Sequence, residues 1–397
     1  MLKFELEKIQ SIIQKAGLDG WLFYDFRGSN DIALKILKIP NDKISSRRYY
    51  YFIPHKGNPV KIVNAIEAGN LDHLPGIKIV YASHTSLLEC LNKTLKNVKS
   101  IAMEYSPNNA IPYVSKIDAG TVELIASTGV KIKSSADLIS HFTAVWSDEQ
   151  FKENIPVAKA LTEIVHNSFQ FIREELSGNS SLTEYEVQQF ILNSIEKDRG
   201  YIADHPPIAA VNENSANPHY VPTEKIFKKV LKDDFILLDL WAKVNKPDGV
   251  WSDITWVGYI GETIPQKYVK IFDIVAEARD AAFELVKNRF AQGKEIYGYE
   301  VDDAARKVIS KAGYGKYFIH RTGHSITTEG HGTGAHMDNY ETYDNRLILT
   351  ETSFSIEPGI YLPGKFGIRS EIDVFVKNNG EVIPTGEVQK DIIAILA

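Results

Sequence analysis

Three short segments between residues 238 and 372 gather four carboxylates and a histidine, each acid in or beside an apolar, β-prone run where a carboxylate is costly unless something positive neutralises it. The first holds Leu238-Asp239-Leu240 and Ser252-Asp253-Ile254. The second reads His320-Arg321-Thr322-Gly323-His324. The third holds Ile356-Glu357-Pro358-Gly359 and Ser370-Glu371-Ile372. An ionised carboxylate taken out of water is costly unless it is neutralised or fully hydrogen-bonded. The chain must therefore fold so that these four acids meet positive charge. Two divalent metal ions would supply it, and an oxygen-rich donor set with one imidazole suits manganese, cobalt or zinc.

The spacing adds an internal echo. Fourteen positions separate Asp239 from Asp253, and fourteen separate Glu357 from Glu371. Each interval carries a turn, Pro247-Asp248-Gly249 in one and Pro363-Gly364 in the other. Two hairpins, each with one acid per strand, would bring the four carboxylates to one point. Six of the 11 histidines fall between residues 205 and 336. His320 and His324 do not form a helical zinc motif, because Arg321 stands where a general-base Glu is needed and Gly323 disfavours a helix. Gly359 to Lys365 imitates a phosphate loop, but Phe366 replaces the hydroxyl residue and Pro363 lacks an N–H. Gly330 to Ala335 imitates a dinucleotide fingerprint without the strand-turn-helix setting. There is no Gly-x-Ser-x-Gly nucleophile elbow.

The remaining sequence bounds the setting. A chain of 397 residues predicts two domains. Its 44% hydrophobic and 24% charged content is that of a soluble globular protein. A net charge of -6 gives no footprint for nucleic acid. The lone Cys90 excludes an intrachain disulfide and fits a reducing compartment; its apolar helical surroundings make it a core residue rather than a nucleophile. No run approaches the ~18 apolar residues of a membrane span. Residues 1–13 have helical spacing without an apolar leader core, so a cytoplasmic protein is expected.

Residues 1–147 predict a small α/β domain. A helix over 4–16 ends at Gly17, a strand covers 21–24, and 49–54 and 60–63 form a hairpin around Lys56-Gly57-Asn58-Pro59. Strands at 77–81 and 100–103 flank a helix at 86–96, which suggests a mixed or parallel sheet. Ser147-Asp148-Glu149-Gln150 opens the second domain, 148–397, as a helix start with acids in its first turn. That domain reads as helices to 178 and over 183–198, strands at 237–244 and 254–260, helices at 267–289 and 301–312, and strands at 354–356, 368–370 and 372–376.

The order Asp, Asp, His, Glu, Glu, with Asn217-Pro218-His219-Tyr220 upstream, Ser355-Ile356-Glu357-Pro358-Gly359-Ile360-Tyr361 and Gly367-Ile368-Arg369-Ser370-Glu371 downstream, resembles the pita-bread metallopeptidases: prolidase, aminopeptidase P and methionine aminopeptidase, with the related creatinase. The similarity covers roughly 157–397. The smaller N-terminal domain resembles the one that precedes the catalytic domain in prolidase, aminopeptidase P and creatinase. The fold class implied is α+β, a pita-bread domain after a creatinase-N-like α/β domain. Carried over by position, Asp239 would chelate one metal ion, Asp253 and Glu371 would bridge both, and His324 and Glu357 would complete the second. A water or hydroxide between the ions would be the nucleophile, and Glu357 would also move its proton. His219 and His331 would hold the scissile carbonyl, and His320 would sit near the residue after the cleaved bond. Tyr361 and Arg369 would brace or contact the site, Arg369 as a salt bridge to a ligand acid or as a substrate contact.

The resemblance implies hydrolysis of an Xaa-Pro bond by a homodimer with two divalent ions, manganese first. A prolidase-like dipeptidase needs a cation for the substrate's carboxylate, which Arg321 or Arg346 would supply. The alternatives are an aminopeptidase P-like enzyme on longer peptides, a metal-free creatinase-like amidinohydrolase, or a non-catalytic binding module; the full ligand set weighs against the last two. The chain also departs from the family pattern. The interval between the first two acids is longer, Leu240-Trp241-Ala242 replaces small residues, Trp256 stands where Arg or a small polar residue is common, Gly332 follows His331, and Ile372 follows Glu371. These changes predict an altered pocket with every ligand retained.

Overall fold

Strands that are apolar along their whole length need cover on both faces. The computed structural model, which describes residues 4–40, 43–178 and 181–397, provides such cover in each of two compact units, Met1–Thr143 and Ala144–Ala397. In the first, six strands, β1 (Gly20–Asp25), β2 (Tyr49–Pro54), β3 (Val60–Asn64), β4 (Ile77–Tyr81), β5 (Ser100–Met103) and β6 (Lys131–Ser134), order as β4-β3-β2-β1-β5-β6. The sheet is mixed: β1–β2 and β2–β3 are antiparallel, whereas β3–β4, β1–β5 and β5–β6 are parallel. Alternate residues sort to opposite faces. Trp21, Phe23, Tyr49, Tyr51 and Ile53 enter one core with Ile9 and Ile13 of helix Leu6–Lys15. Leu22, Tyr24, Tyr50 and Phe52 enter the other with Leu87 and Leu91 of helix His84–Thr94. Cys90 lies on that same helix, half-buried beside this second core, where desolvation raises its thiol.

The second unit begins at Ala144 because the chain is tied into it at once. Val145 bridges Thr352, Trp146 N–H donates to the Glu351 carbonyl at 2.7 Å, and its indole donates to the Ile326 carbonyl at 2.9 Å. Ser147 and Gln150 then exchange side-chain-to-backbone bonds, a capping box that starts helix Asp148–Ser177. The strands that follow are β7 (Tyr201–Ile202), β8 (Ile208–Val211), β9 (Phe235–Val244), β10 (Ser252–Tyr259), β11 (Ser325–Ile326), β12 (Thr352–Ile356), β13 (Gly359–Leu362), β14 (Phe366–Arg369), β15 (Ile372–Val376), β16 (Val382–Pro384) and β17 (Ile393–Ala394). They form the sheet β17-β10-β9-β7, with β8 also on β9, the sheet β11-β12-β15-β16, and the hairpin β13-β14.

Two faces of the β9–β10 ribbon have separate destinies. Leu238, Leu240, Ile254 and Trp256 pack under the long helix against Val157, Leu161 and Val165. Truncating one such buried leucine to Ala costs about 2–5 kcal/mol. On the opposite face, Phe235, Leu237, Val257 and Tyr259 join the core formed with helices Gln266–Ala291 and Gly298–Lys311. Farther along that same face stand Asp239, Trp241, Asp253 and Thr255. Among the described residues no helix is long and apolar enough to cross a membrane.

Candidate metal centre

Register builds the centre. In the β9–β10 ladder Asp239 faces Thr255 and Asp253 faces Trp241, so both acids share a face as diagonal neighbours. The extra length between them lies beyond the ladder, in the tip 245–251. There Lys246 N–H returns to Val244 O, Gly249 N–H to Lys246 O, and Trp251 N–H to Thr327 O. The second pair of acids differs from the expected hairpin. Ile356 pairs with Ile372 in the β12–β15 ladder, and Gly359 pairs with Arg369 in β13–β14. Glu357 and Glu371 occupy the break between these ladders, where Pro358 cannot donate a ladder bond. Glu371 N–H reaches the Thr255 carbonyl at 3.4 Å and Asp253 N–H reaches Asp373 Oδ2 at 2.7 Å, which stitches the two ribbons together at the acids.

His324 arrives from the turn before β11. Ser355 holds it twice, since its hydroxyl accepts from His324 N–H at 3.0 Å and its own N–H donates to His324 O at 2.9 Å. An added Cβ at Gly323 would stand 1.9 Å from the Ser355 carbonyl, so only glycine permits this approach. Asp253, His324 and Glu371 each offer a ligand atom, all within 4.8 Å of one another. His324 Nε2 lies 3.4 Å from Glu357 Oε1 and 4.0 Å from Asp253 Oδ2. Asp239 joins through Arg369, whose Nη2 contacts Asp239 Oδ2 and whose Nε donates to Thr255 Oγ1 at 2.8 Å. Thr255 in turn donates to Glu371 Oε2 at 2.6 Å. The five sequence-predicted ligands are thus brought together.

The electrostatics of this cluster fit a cation. Burial, then the charges of Glu371, Asp239, Asp373 and Glu357, push Asp253 well above the usual carboxylate range. Burial and Glu357 do the same to Glu371. Burial raises Glu357 to about 7 against the opposing pull of Arg369. Asp253 Oδ1 is buried without a hydrogen-bond donor. His324 is held neutral by burial, by His331 and by Arg321, which leaves a lone pair for a metal. Acids that repel one another around an orphaned oxygen and a neutral imidazole are the donor set a divalent cation satisfies.

Around the acids lie the other predicted residues. The His331 ring lies against that of His324, tilted at 46° with centroids 4.1 Å apart, and its Nδ1 is 3.3 Å from Arg321 Nη2. Desolvation of its ring and the Arg321 charge hold it below the imidazole range, although the residue as a whole stands at the solvent edge. His219 is exposed nearby, its backbone N–H on Asn217 Oδ1 at 3.1 Å. His320 Nε2 meets the buried Tyr361 hydroxyl at 2.8 Å, and desolvation lowers its pKa to about 3.

The structure corrects two expectations. Arg346 is 1% exposed and clasped by Asp344 and the Thr333 carbonyl, so it is not a cation for substrate. Trp256 points into the helix-covered core, away from the acids, and does not reshape the pocket. The apparent phosphate loop is the β13–β14 hairpin with Gly364 in a left-handed turn. Sequence reading missed Thr255, Ser355 and Asp373. The strand alternation holds the signal for Thr255, two residues beyond Asp253 and therefore on its face.

Four carboxylates and one neutral imidazole, gathered where two β-ribbons join, have the donor chemistry of a metallohydrolase centre. Residues 153–378 match metallopeptidase family M24, and the chain belongs to that family. It is 30% identical to the putative dipeptidase YkvY of Bacillus subtilis (strain 168) over 324 residues, 80% of each chain. It is 39% identical to the Xaa-Pro dipeptidase of Lactobacillus helveticus over 165 residues, 41% of this chain and 40% of that one. A solved dipeptidase from Pyrococcus horikoshii OT3 superposes with a TM-score of 0.58 at 25% identity, covering 98% of this chain and 99% of the other.

Proposed function

We propose that this chain is a metal-dependent dipeptidase that hydrolyses Xaa-Pro dipeptides. The observation that carries the reading is the convergence of Asp253, His324 and Glu371 within 4.8 Å around the unpartnered Asp253 oxygen. Asp239 and Glu357 complete the set that would hold two divalent ions, with manganese suited to its oxygen-rich character. Bound cations supply Lewis acidity and acidify a coordinated water. Glu357, braced by Ser355 Oγ at 3.1 Å, is the proton acceptor and donor during attack. His331 and His219 flank the carbonyl, and the His320–Tyr361 pair lines the far wall. Arg321, beside His331, pairs with the substrate's terminal carboxylate. Arg369 aligns Asp239. A homodimer in the cytoplasm belongs to the same reading.

The experiment compares an Ala-Pro dipeptide with an Ala-Pro-Ala tripeptide on manganese-loaded protein, wild type and Arg321→Gln. A dipeptidase favours Ala-Pro, and losing Arg321 raises its KM about tenfold or more, the loss of a charge-assisted bond. Preference for the tripeptide would assign the aminopeptidase activity instead. Failure on both would remove the Xaa-Pro reading.

A further inference from the structure

We propose that Trp241 is a specificity-determining wall of this site, bounding the space for the side chain of the substrate's first residue and admitting small side chains over bulky ones. The inference rests on the Xaa-Pro reading and adds the substrate class. Trp241 lies two residues past Asp239 on β9 and directly opposite Asp253 on β10, so its side chain leaves the ribbon on the face that bears the acids. It stands next to the one ligand of the converging trio that is not fully buried.

The indole is held at two points. Its N–H donates to Asp204 Oδ1 at 2.9 Å. Its apolar body packs against the cluster of Trp146, Val250, Trp251, Ile326 and Phe375. A ring fixed by a hydrogen bond at one edge and by packing along its body does not swing aside as a flexible chain would. Trp241 is therefore a wall rather than a flap. Asp204 also gives the direction of the substrate. Its carboxylate is half exposed and its charge is felt at His331, which places it at the rim. A dipeptide carries an ammonium at one end and a carboxylate at the other. Asp204 attracts the first and Arg321 the second, so the first residue lies along Trp241.

The test is the ratio of kcat/KM for Ala-Pro over Phe-Pro, measured on the manganese-loaded full chain. Wild type is expected to favour Ala-Pro by about tenfold or more, and Trp241→Ala to lower that ratio about tenfold through a gain on Phe-Pro. Trp241→Leu, of intermediate bulk, is expected to fall between them and serves if the alanine variant does not fold. A wild-type ratio near one, or an unchanged ratio in the variants, would overturn the wall. Turnover with an unaltered ratio sinks Trp241 alone, whereas wild type inert on every Xaa-Pro dipeptide sinks the underlying reading as well.

Discussion

Each unit of this protein buries carboxylates, and the two treat them in opposite ways. In the N-terminal unit Glu104 is fully buried, yet Oε1 accepts from Trp21 Nε1 at 2.6 Å and Ser135 Oγ at 3.2 Å, and Oε2 accepts from Asn30 Nδ2 at 2.8 Å. Its neighbour Asp25 accepts the N–H groups of Gly28 and Asn30, each at 3.0 Å. These acids have protein donors at each oxygen and organise a loop. In the catalytic unit the acids face one another, share a few donors through Thr255, Ser355 and Arg369, and leave Asp253 Oδ1 without any. Burial alone therefore does not mark a functional carboxylate. What sets the second unit apart is a deficit of donors combined with several acids converging on one another and on a neutral imidazole, which a cation would satisfy.

Breaking the comparison at its most sensitive point gives the largest effect. Glu357→Gln keeps shape and removes the proton carrier, so kcat on Ala-Pro should fall about 10²–10⁴-fold. Circular dichroism should be unchanged. Retention of wild-type turnover would rule out Glu357 as the acid–base group.

The contrast was only partly legible beforehand. Asp239, Asp253, Glu357 and Glu371 announced themselves because an acid inside an apolar run is a local signal. The strand carrying Asp239 was expected at 237–244, whereas the one expected at 254–260 stopped one residue short of Asp253, which the structure places inside β10 (Ser252–Tyr259). What completes the site is not local. Thr255 acts only because the register sets it opposite Asp239, Ser355 because β11 pairs with β12, and Asp204 because folding brings it to Trp241 37 positions away. The Glu357/Glu371 break was hidden for another reason: a strand interruption carries no hydrophobic pattern of its own. Glu104 carried no more warning, since its donors come from three separate segments.

On the other side of the comparison, Glu104→Ala strands the indole N–H of Trp21 and the amide of Asn30 in a dry core. We expect a loss of about 1–3 kcal/mol, read as a lower denaturation midpoint for the full chain. Glu104→Gln, which restores one acceptor, should recover part of it. Asp253→Asn should act in the reverse sense on metal-stripped protein. At alkaline pH, where Asp253 would be forced to ionise among its neighbours, it removes one of the mutually repelling charges, and about 1 kcal/mol of relief corresponds to a Tm gain of ~2–4 °C. The same variant should bind less manganese by metal analysis. A stripped Asp253→Asn protein less stable than stripped wild type at alkaline pH would mean that the acids are already satisfied, as they are around Glu104.

The smallest effect, a pH slope, separates the two kinds of site in one experiment. Burial raises both Glu357 and Glu104 to about 7 from an ordinary value of 4.5. A carboxyl whose folded pKa exceeds its unfolded value holds its proton more tightly in the folded state. The stability it contributes is complete below about pH 4.5 and is lost as pH rises through about 7. Metal-stripped protein should therefore lose Tm between about pH 5 and pH 7.5. Loading with manganese fixes the ligand acids in their ionised form and, because protons compete for them, binds more strongly as pH rises. The gap in Tm between loaded and stripped protein should widen across that window, while the residual fall in the loaded protein belongs to the buried acids that are not ligands, Glu104 and Asp373, the latter raised by burial to about 8, and should become shallower in Glu104→Gln. Thermal scans at half-unit pH steps would measure both slopes. A gap that stays constant with pH would mean that the four acids of the second unit do not hold the cation.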